Sequence, residues 1–150
     1  MDTDDMKRHI SDSFEGVAAV DGGDDTYFVY DPLGDLPADR WLPFATIVTG
    51  DHHDTASALD RPGAWRLNIG LTRARYASVF ATAPAGGAPV DHTVTDTLLP
   101  HPVYAPQHWV CVVNPGPATR ELVGELLADA YGFAVRKHLN QRRRRPGSAD

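Results

Sequence analysis

The chain has 150 residues, 42% of them hydrophobic and 23% charged, with a net charge of −6. Those are the proportions of an ordinary globular protein, long enough to bury roughly two thirds of the surface its unfolded form exposes, and they exclude fibrous and disordered classes. No apolar run reaches the roughly 20 residues of a membrane helix, and the acidic start MDTDDMKRHI is unlike a secretory leader, so a cytoplasmic location and no membrane partner are expected.

In chain order, Met6, Ile10 and Phe14 recur every fourth residue after Thr3 or Asp4, either of which can cap, and predict a short amphipathic helix over 3–14. VAAV (17–20), the turn DGGDD (21–25) and TYFVY (26–30) read as a hairpin. DPLGDLPADRW (31–41) is too rich in Pro, Gly and Asp for regular structure. FATIVT (44–49) and WRLNIGL (65–71) are the clearest strands. In the second, Trp65, Leu67, Ile69 and Leu71 alternate with Arg66, Asn68 and Gly70, giving one apolar and one polar face.

Thr72 can cap a helix that carries Tyr76, Val79 and Phe80 on one side, and ATAPAGGAP (81–89) breaks it. Three prolines in LLPHPVYAPQ (98–107) argue against a helix there. WVCVV (109–113) is a buried strand, stopped by NPGP (114–117). A last helix over 117–138 follows, with an apolar stripe from Leu122 to Val135. Runs of strands without strict βαβ alternation predict an α+β fold: a mainly antiparallel sheet with helices packed on one face. The organisation expected is one domain over 1–140 and a basic, disordered tail over 141–150.

The segments HPVYAPQHWVCVVNPGPATRELVGELLADAYGFAVRKHL (from 101) and RLNIGLTRARYASVF (66–80) resemble the closing half of the MmcQ/YjbR-like family. In that family a loop with polar aromatic residues leads into a strand opening on Trp and then a helix carrying a Tyr; here these are Tyr104, His108, Trp109 and Tyr131, with Asn68 in the preceding strand. The chain resembles still more closely a set of bacterial proteins of about this length with no assigned function, sharing FATIVT, DRPG, RLNIG and HPVY. The resemblance implies a CyaY-like fold and, for some relatives, nucleic-acid binding.

Charge opposes that last role. Residues 1–135 hold eight of the 14 Lys and Arg residues against 19 of the 20 Asp and Glu, a net of −11, and the basic surplus gathers at Arg136, Lys137 and Arg142–Arg145. Such a body repels polyanions, so nucleic acid is not expected as a partner.

The common catalytic signatures are absent: there is no G-x-S-x-G, phosphate loop, G-x-G-x-x-G, H-x-x-x-H or H-E-x-x-H. The lone cysteine, Cys111, excludes an internal disulfide, and its place within WVCVV predicts a buried, inert thiol. Asp51-His52-His53-Asp54 is the densest cluster of ligand-type residues. Neighbours in a loop supply two ligands only if the backbone bends, so it reads as a solvated turn between strands, with no metal or cofactor expected. His101 and His108, with Asp51 or Asp54, are the alternative ligand set if their loop folds back.

What remains is a polar set on one sheet face. Arg66 and Asn68 from one strand, Thr46 or Thr49 from its neighbour, and His101, Tyr104 and His108 from the later loop can line a cleft capped by the insertions 50–63 and 81–100. There Arg66 would meet an anionic group, and Trp65, Trp109 or Trp41 would offer stacking surface. The leading expectation is a non-catalytic domain binding a small molecule or a protein partner. The alternative is an enzyme using His101, Tyr104 and His108 for acid–base chemistry.

Overall fold

The structure, a computed structural model, describes residues 1–81 and 90–144, with side chains to Gln141. The ATAPAGGAP loop beyond Ala81 and the chain from Arg145 onward lie outside the described residues. The first helix, α1 (Thr3–Ser13), is capped by Asp2 rather than by Thr3 or Asp4. Asp2 accepts from the Asp5 amide at 2.8 Å while Asp5 accepts from the Asp2 amide at 3.1 Å, a reciprocal pairing that a cap one or two residues later would forgo.

β1 (Val17–Gly22) and β2 (Asp25–Tyr30) form the expected hairpin around a two-residue turn, in which Gly23 takes a positive φ of 65°. They are followed by β3 (Ala45–Val48), β4 (Arg66–Gly70), α2 (Arg73–Val79), β5 (Leu99–Pro100), β6 (Trp109–Val113) and α3 (Arg120–Arg144). The strands make one sheet in the order β1-β2-β3-β4-β6-β5, with every neighbouring pair antiparallel.

The apolar face of this sheet carries Phe28, Ala45, Ile47, Leu67, Ile69, Val110 and Val112. Met6 and Ile10 of α1 and Val123, Leu126, Leu127 and Ala130 of α3 close over it as one core. Both helices therefore cover the same side, as the stripes require. Phe14 stacks on Tyr131 at 4.7 Å between ring centres and ties the two together.

Three features depart from the sequence reading. β5 is a two-residue strand inside the proline-rich stretch, and Ala105–Gln107 forms a single 3-10 turn. Pro106 is tolerated there because so short a turn asks nothing of its missing N–H. α3 begins at Arg120, later than expected. Asp96 takes the amides of Gly116, Ala118 and Thr119 and the Thr119 hydroxyl, and so holds the turn before the helix; these bonds lower its pKa to about 2. α3 also runs on through Arg144, where a disordered tail from 141 was expected. Arginine is a good helix former, and cations suit a helix C-terminus, so the helix propagates past the end of its apolar stripe. No helix among the described residues is long and apolar enough to cross a membrane.

Candidate functional site

The second face of the sheet is where chemistry-bearing side chains gather. The register sets Tyr27, Thr46, Asn68 and Cys111 side by side across four strands, with Val48, Arg66 and Val113 in the adjacent row. Alternation along each strand places all of them opposite the helices. This face is not open to solvent. The 50–63 segment and the loop after β5 fold over it, leaving Arg66 at 1% exposure and Asn68 at 3%.

A buried guanidinium must be paired, and Arg66 is. It meets Asp54 through two bonds, 3.0 Å to Oδ1 and 2.7 Å to Oδ2, and gives a third to the Ser57 hydroxyl at 3.0 Å. Its Nε donates to Asn68 Oδ1 at 3.0 Å, and the Asn68 amide donates to the Thr46 hydroxyl at 2.9 Å. Four of the five guanidinium hydrogens are thus committed within the chain. The hydrogen bonds from Arg66 hold the Asp54 carboxyl below its usual range against the opposing effect of burial. Arg66 is therefore not the free anion receptor the sequence suggested; its charge is spent on Asp54.

In front of this network lies a cleft of about 420 Å³. Thr46, Arg66, Asn68, His101, Tyr104 and Trp109 all line it, together with Tyr27, Pro43, Val48, His53, Asp54 and Val103. The Tyr104 ring lies 5.1 Å from that of His101 and is mostly exposed at the mouth. Burial, with the Asp25 charge second, raises the Tyr27 pKa, so Tyr27 stays a hydroxyl donor.

His101 is held by its own loop. Its Nδ1 accepts from the amides of Val103 at 3.0 Å and Tyr104 at 2.9 Å, which places the ring proton on Nε2. Burial, and then the nearby Arg66 charge, bring its pKa down to about 4. At neutral pH it offers a hydrogen bond from Nε2–H rather than a basic nitrogen.

The remaining candidates lie elsewhere. His108 takes a positive φ of 71° after the 3-10 turn, and its ring faces Tyr76 at 5.7 Å. It lines a separate cleft of about 410 Å³ together with Arg40, Arg73 and Lys137. The expected convergence thus holds for Arg66, Asn68 and Tyr104 and fails for His108, because the left-handed residue swings its ring toward α2. His101 and His108 line different clefts and fall in no common group of three potential ligands among the described residues.

Trp65 belongs to the helix-side core at 4% exposure, where strand alternation with Leu67 puts it, and cannot stack on a ligand. Trp41 lines neither cleft, and the Thr49 hydroxyl donates to the Asp24 carbonyl. Cys111 is fully buried and its thiol is pushed up to about 12 by burial, so it stays protonated, as its strand position predicted.

Trp109 and Pro43 line both clefts and separate them. The indole lies over Gly70, where an added Cβ would come within 2.9 Å of ring atoms Cε2 and Cζ2. Gly70→Ala should therefore displace the ring and cost about 1–2 kcal/mol, read as a lower Tm with a change in tryptophan emission. An unchanged melt and spectrum would show that the ring is not held there.

Four participants were not placed at this face from the sequence, Asp54 having been considered only as a metal ligand. Asp54 and Ser57 come from the insertion, and Tyr27 and Asp25 come from β2. Asp25, 1% exposed, accepts from the Thr49 amide through Oδ1 and meets both His52 and His53 through Oδ2. Only the alternation of Asp25 with Tyr27 hinted that they share a face.

Comparison with known proteins fits this architecture. A family model of unknown function, DUF6194, matches residues 1–145, and the chain belongs to that family. Among solved structures it is similar to the Deinococcus radiodurans protein DR2400, which carries a DUF419 domain. That likeness has a TM-score of 0.55 at 19% identity and covers 92% of this chain and 82% of the other. It shows a shared fold. No curated protein matches the sequence.

Proposed function

We propose that this protein binds a small, largely uncharged molecule with a flat ring in the cleft between the second sheet face and its covering loops. The observation that carries the reading is the cleft itself. It has a small-molecule volume and is walled by the rings of Tyr27, Tyr104 and Trp109, and its floor is a buried polar chain ending at the Thr46 hydroxyl. The Thr46 and tyrosine hydroxyls and the His101 Nε2–H are suited to a carbonyl or ring nitrogen on the ligand. Because Arg66 is committed to Asp54, a phosphate or carboxylate would have to displace a bidentate pair.

Binding without turnover is favoured because, of the histidines expected to act as bases, His108 faces the other cleft and His101 has its Nδ1 occupied, while His53 and Asp54 of this cleft meet Asp25 and Arg66. Thr46→Val and Tyr104→Ala should each weaken a ring-containing fragment roughly tenfold in a calorimetric titration; Tyr104→Ala should shift Tm little, whereas Thr46→Val also leaves the buried Asn68 amide without its acceptor and should lower Tm by a few degrees. Unchanged affinity in both variants would move the ligand out of this cleft.

Kinship with the MmcQ/YjbR-like group is part of this proposal, supported by the quoted segments and by the fold shared with DR2400. Nucleic-acid binding is not carried over with it. Lys137 and Arg136 lie over the Phe133 ring, at 4.0 and 5.7 Å from its centre, on a body of net −11. Fluorescence anisotropy with duplex and single-stranded oligonucleotides at about 150 mM salt should show no sub-micromolar binding. Tight binding that survives truncation after Asn140 would contradict this.

A further inference from the structure

Asp25, His52 and His53 form a cluster that the small-molecule reading does not use. The Nε2 atoms of both histidines lie 2.6 Å from the same oxygen, Oδ2 of Asp25, and the two rings are 4.4 Å apart between centres. Adjacent histidines on a straight strand would point to opposite faces; here the chain bends through residues 51–53 and turns both toward β2. One nitrogen from each ring and one carboxylate oxygen all fall within 4.8 Å of one another, the one such group of three among the described residues.

We propose that Asp25, His52 and His53 bind one divalent transition-metal ion of the zinc class. Two imidazoles and one carboxylate, with further positions left open, suit Zn²⁺, Co²⁺, Ni²⁺ or Fe²⁺. Mg²⁺ and Ca²⁺ prefer oxygen donors. Tetrahedral bonds of about 2.0–2.2 Å place neighbouring donors roughly 3.3–3.6 Å apart, so the 2.6 Å contacts to Oδ2 must open by somewhat under about 1 Å. The histidine side chains can supply that movement, being 47% and 50% exposed, while the carboxylate they meet is fixed at 1%.

Two further observations support a built site. The Thr49 amide orients Asp25 through its other oxygen. The histidine loop is pinned by Asp60, which accepts from the Asp51 amide at 3.1 Å, and by Asp51, which accepts from the Leu59 amide at 2.7 Å. Asp24 and Asp60 also put negative charge beside His52, which favours a cation. His53 lines the cleft, so the ion would sit at the end of it that Tyr27 and Asp54 share, with its open positions available to a ligand. The metal proposal stands without the small-molecule reading, since its donors are complete without a cleft ligand.

The test is a titration of the untagged full chain with Co²⁺, followed by visible absorption, and with Zn²⁺, followed by calorimetry. The expected result is one ion per chain, with affinity reduced at least about tenfold in His52→Ala and in His53→Ala and unchanged in His9→Ala. Asp25→Asn should also abolish the cobalt spectrum; because that carboxylate is buried, its circular dichroism is checked first, and the two exposed histidine variants carry the test if it fails to fold. Zinc affinity unchanged in the His52→Ala/His53→Ala double variant would overturn the proposal, as would the absence of a stoichiometric site in the wild-type chain. Neither result bears on whether a metal-free cleft binds a fragment.

Discussion

Replacing Asp54 with alanine should destabilise the protein by about 3–5 kcal/mol, the cost of leaving a buried guanidinium without its counter-ion. Arg66 is among the most deeply buried side chains here, and Asp54 supplies two of its four bonds. For a domain of this length the loss corresponds to a Tm lowered by on the order of 10 °C. The pair itself need not be a net stabiliser, because burying both charges costs about what their attraction returns. A double variant, Asp54→Leu with Arg66→Met, should therefore recover part of the loss, though Asn68 Oδ1 and the Ser57 hydroxyl would then lack their donor. A thermal melt of Asp54→Ala within 1–2 °C of wild type would show that the loop opens and water takes the place of the carboxylate.

The second large effect is a pH dependence. His101 has a folded pKa of about 4 against an ordinary 6.5, set first by burial and then by Arg66. Its folded value is depressed, so between these limits the unfolded chain binds the proton and the folded chain does not. The stability it contributes is complete above about pH 6.5 and is lost progressively as pH falls toward 4. With partial screening by solvent the loss should total about 2 kcal/mol. His52 titrates in the opposite sense: its hydrogen bond to Asp25 raises its pKa, so its contribution is complete below about pH 6.5 and is lost as pH rises above that, and both changes fall within the pH range compared. The difference between wild type and His101→Asn isolates the first. Asparagine keeps an acceptor for the Val103 and Tyr104 amides but does not titrate. Denaturant midpoints at pH 7.5 and 4.5 should converge for the variant relative to wild type; parallel curves would show that the imidazole is not buried neutral.

The two-faced sheet was legible because periodicity records burial directly. Trp65, Leu67, Ile69 and Leu71 alternate with Arg66 and Asn68, and the helical stripes leave one surface for both helices. What periodicity cannot show is which loop residue a strand residue meets. Asp54 lies 12 positions from Arg66, and Asp25 lies 27 and 28 positions from the two histidines it meets. Asp25 reads locally as a turn residue beside Gly22 and Gly23. Arg66, Asn68, Thr46, His101, Tyr104 and Trp109 line one cleft at the polar face, a grouping that follows from strand direction and loop order. His108 was misplaced by a single left-handed residue, a conformation that nothing in VYAPQHW announces.

Amide chemical-shift mapping during a screen of small ring-containing fragments tests directly whether the face opposite the helices holds a ligand cleft. Bound fragments should move the resonances of Tyr27, Thr46, Val103, Tyr104 and the Trp109 indole together, leaving those of His108 and Lys137 in the other cleft unmoved. Fragments that shift the His108 and Lys137 signals while the Thr46 and Tyr104 signals stay in place would contradict it.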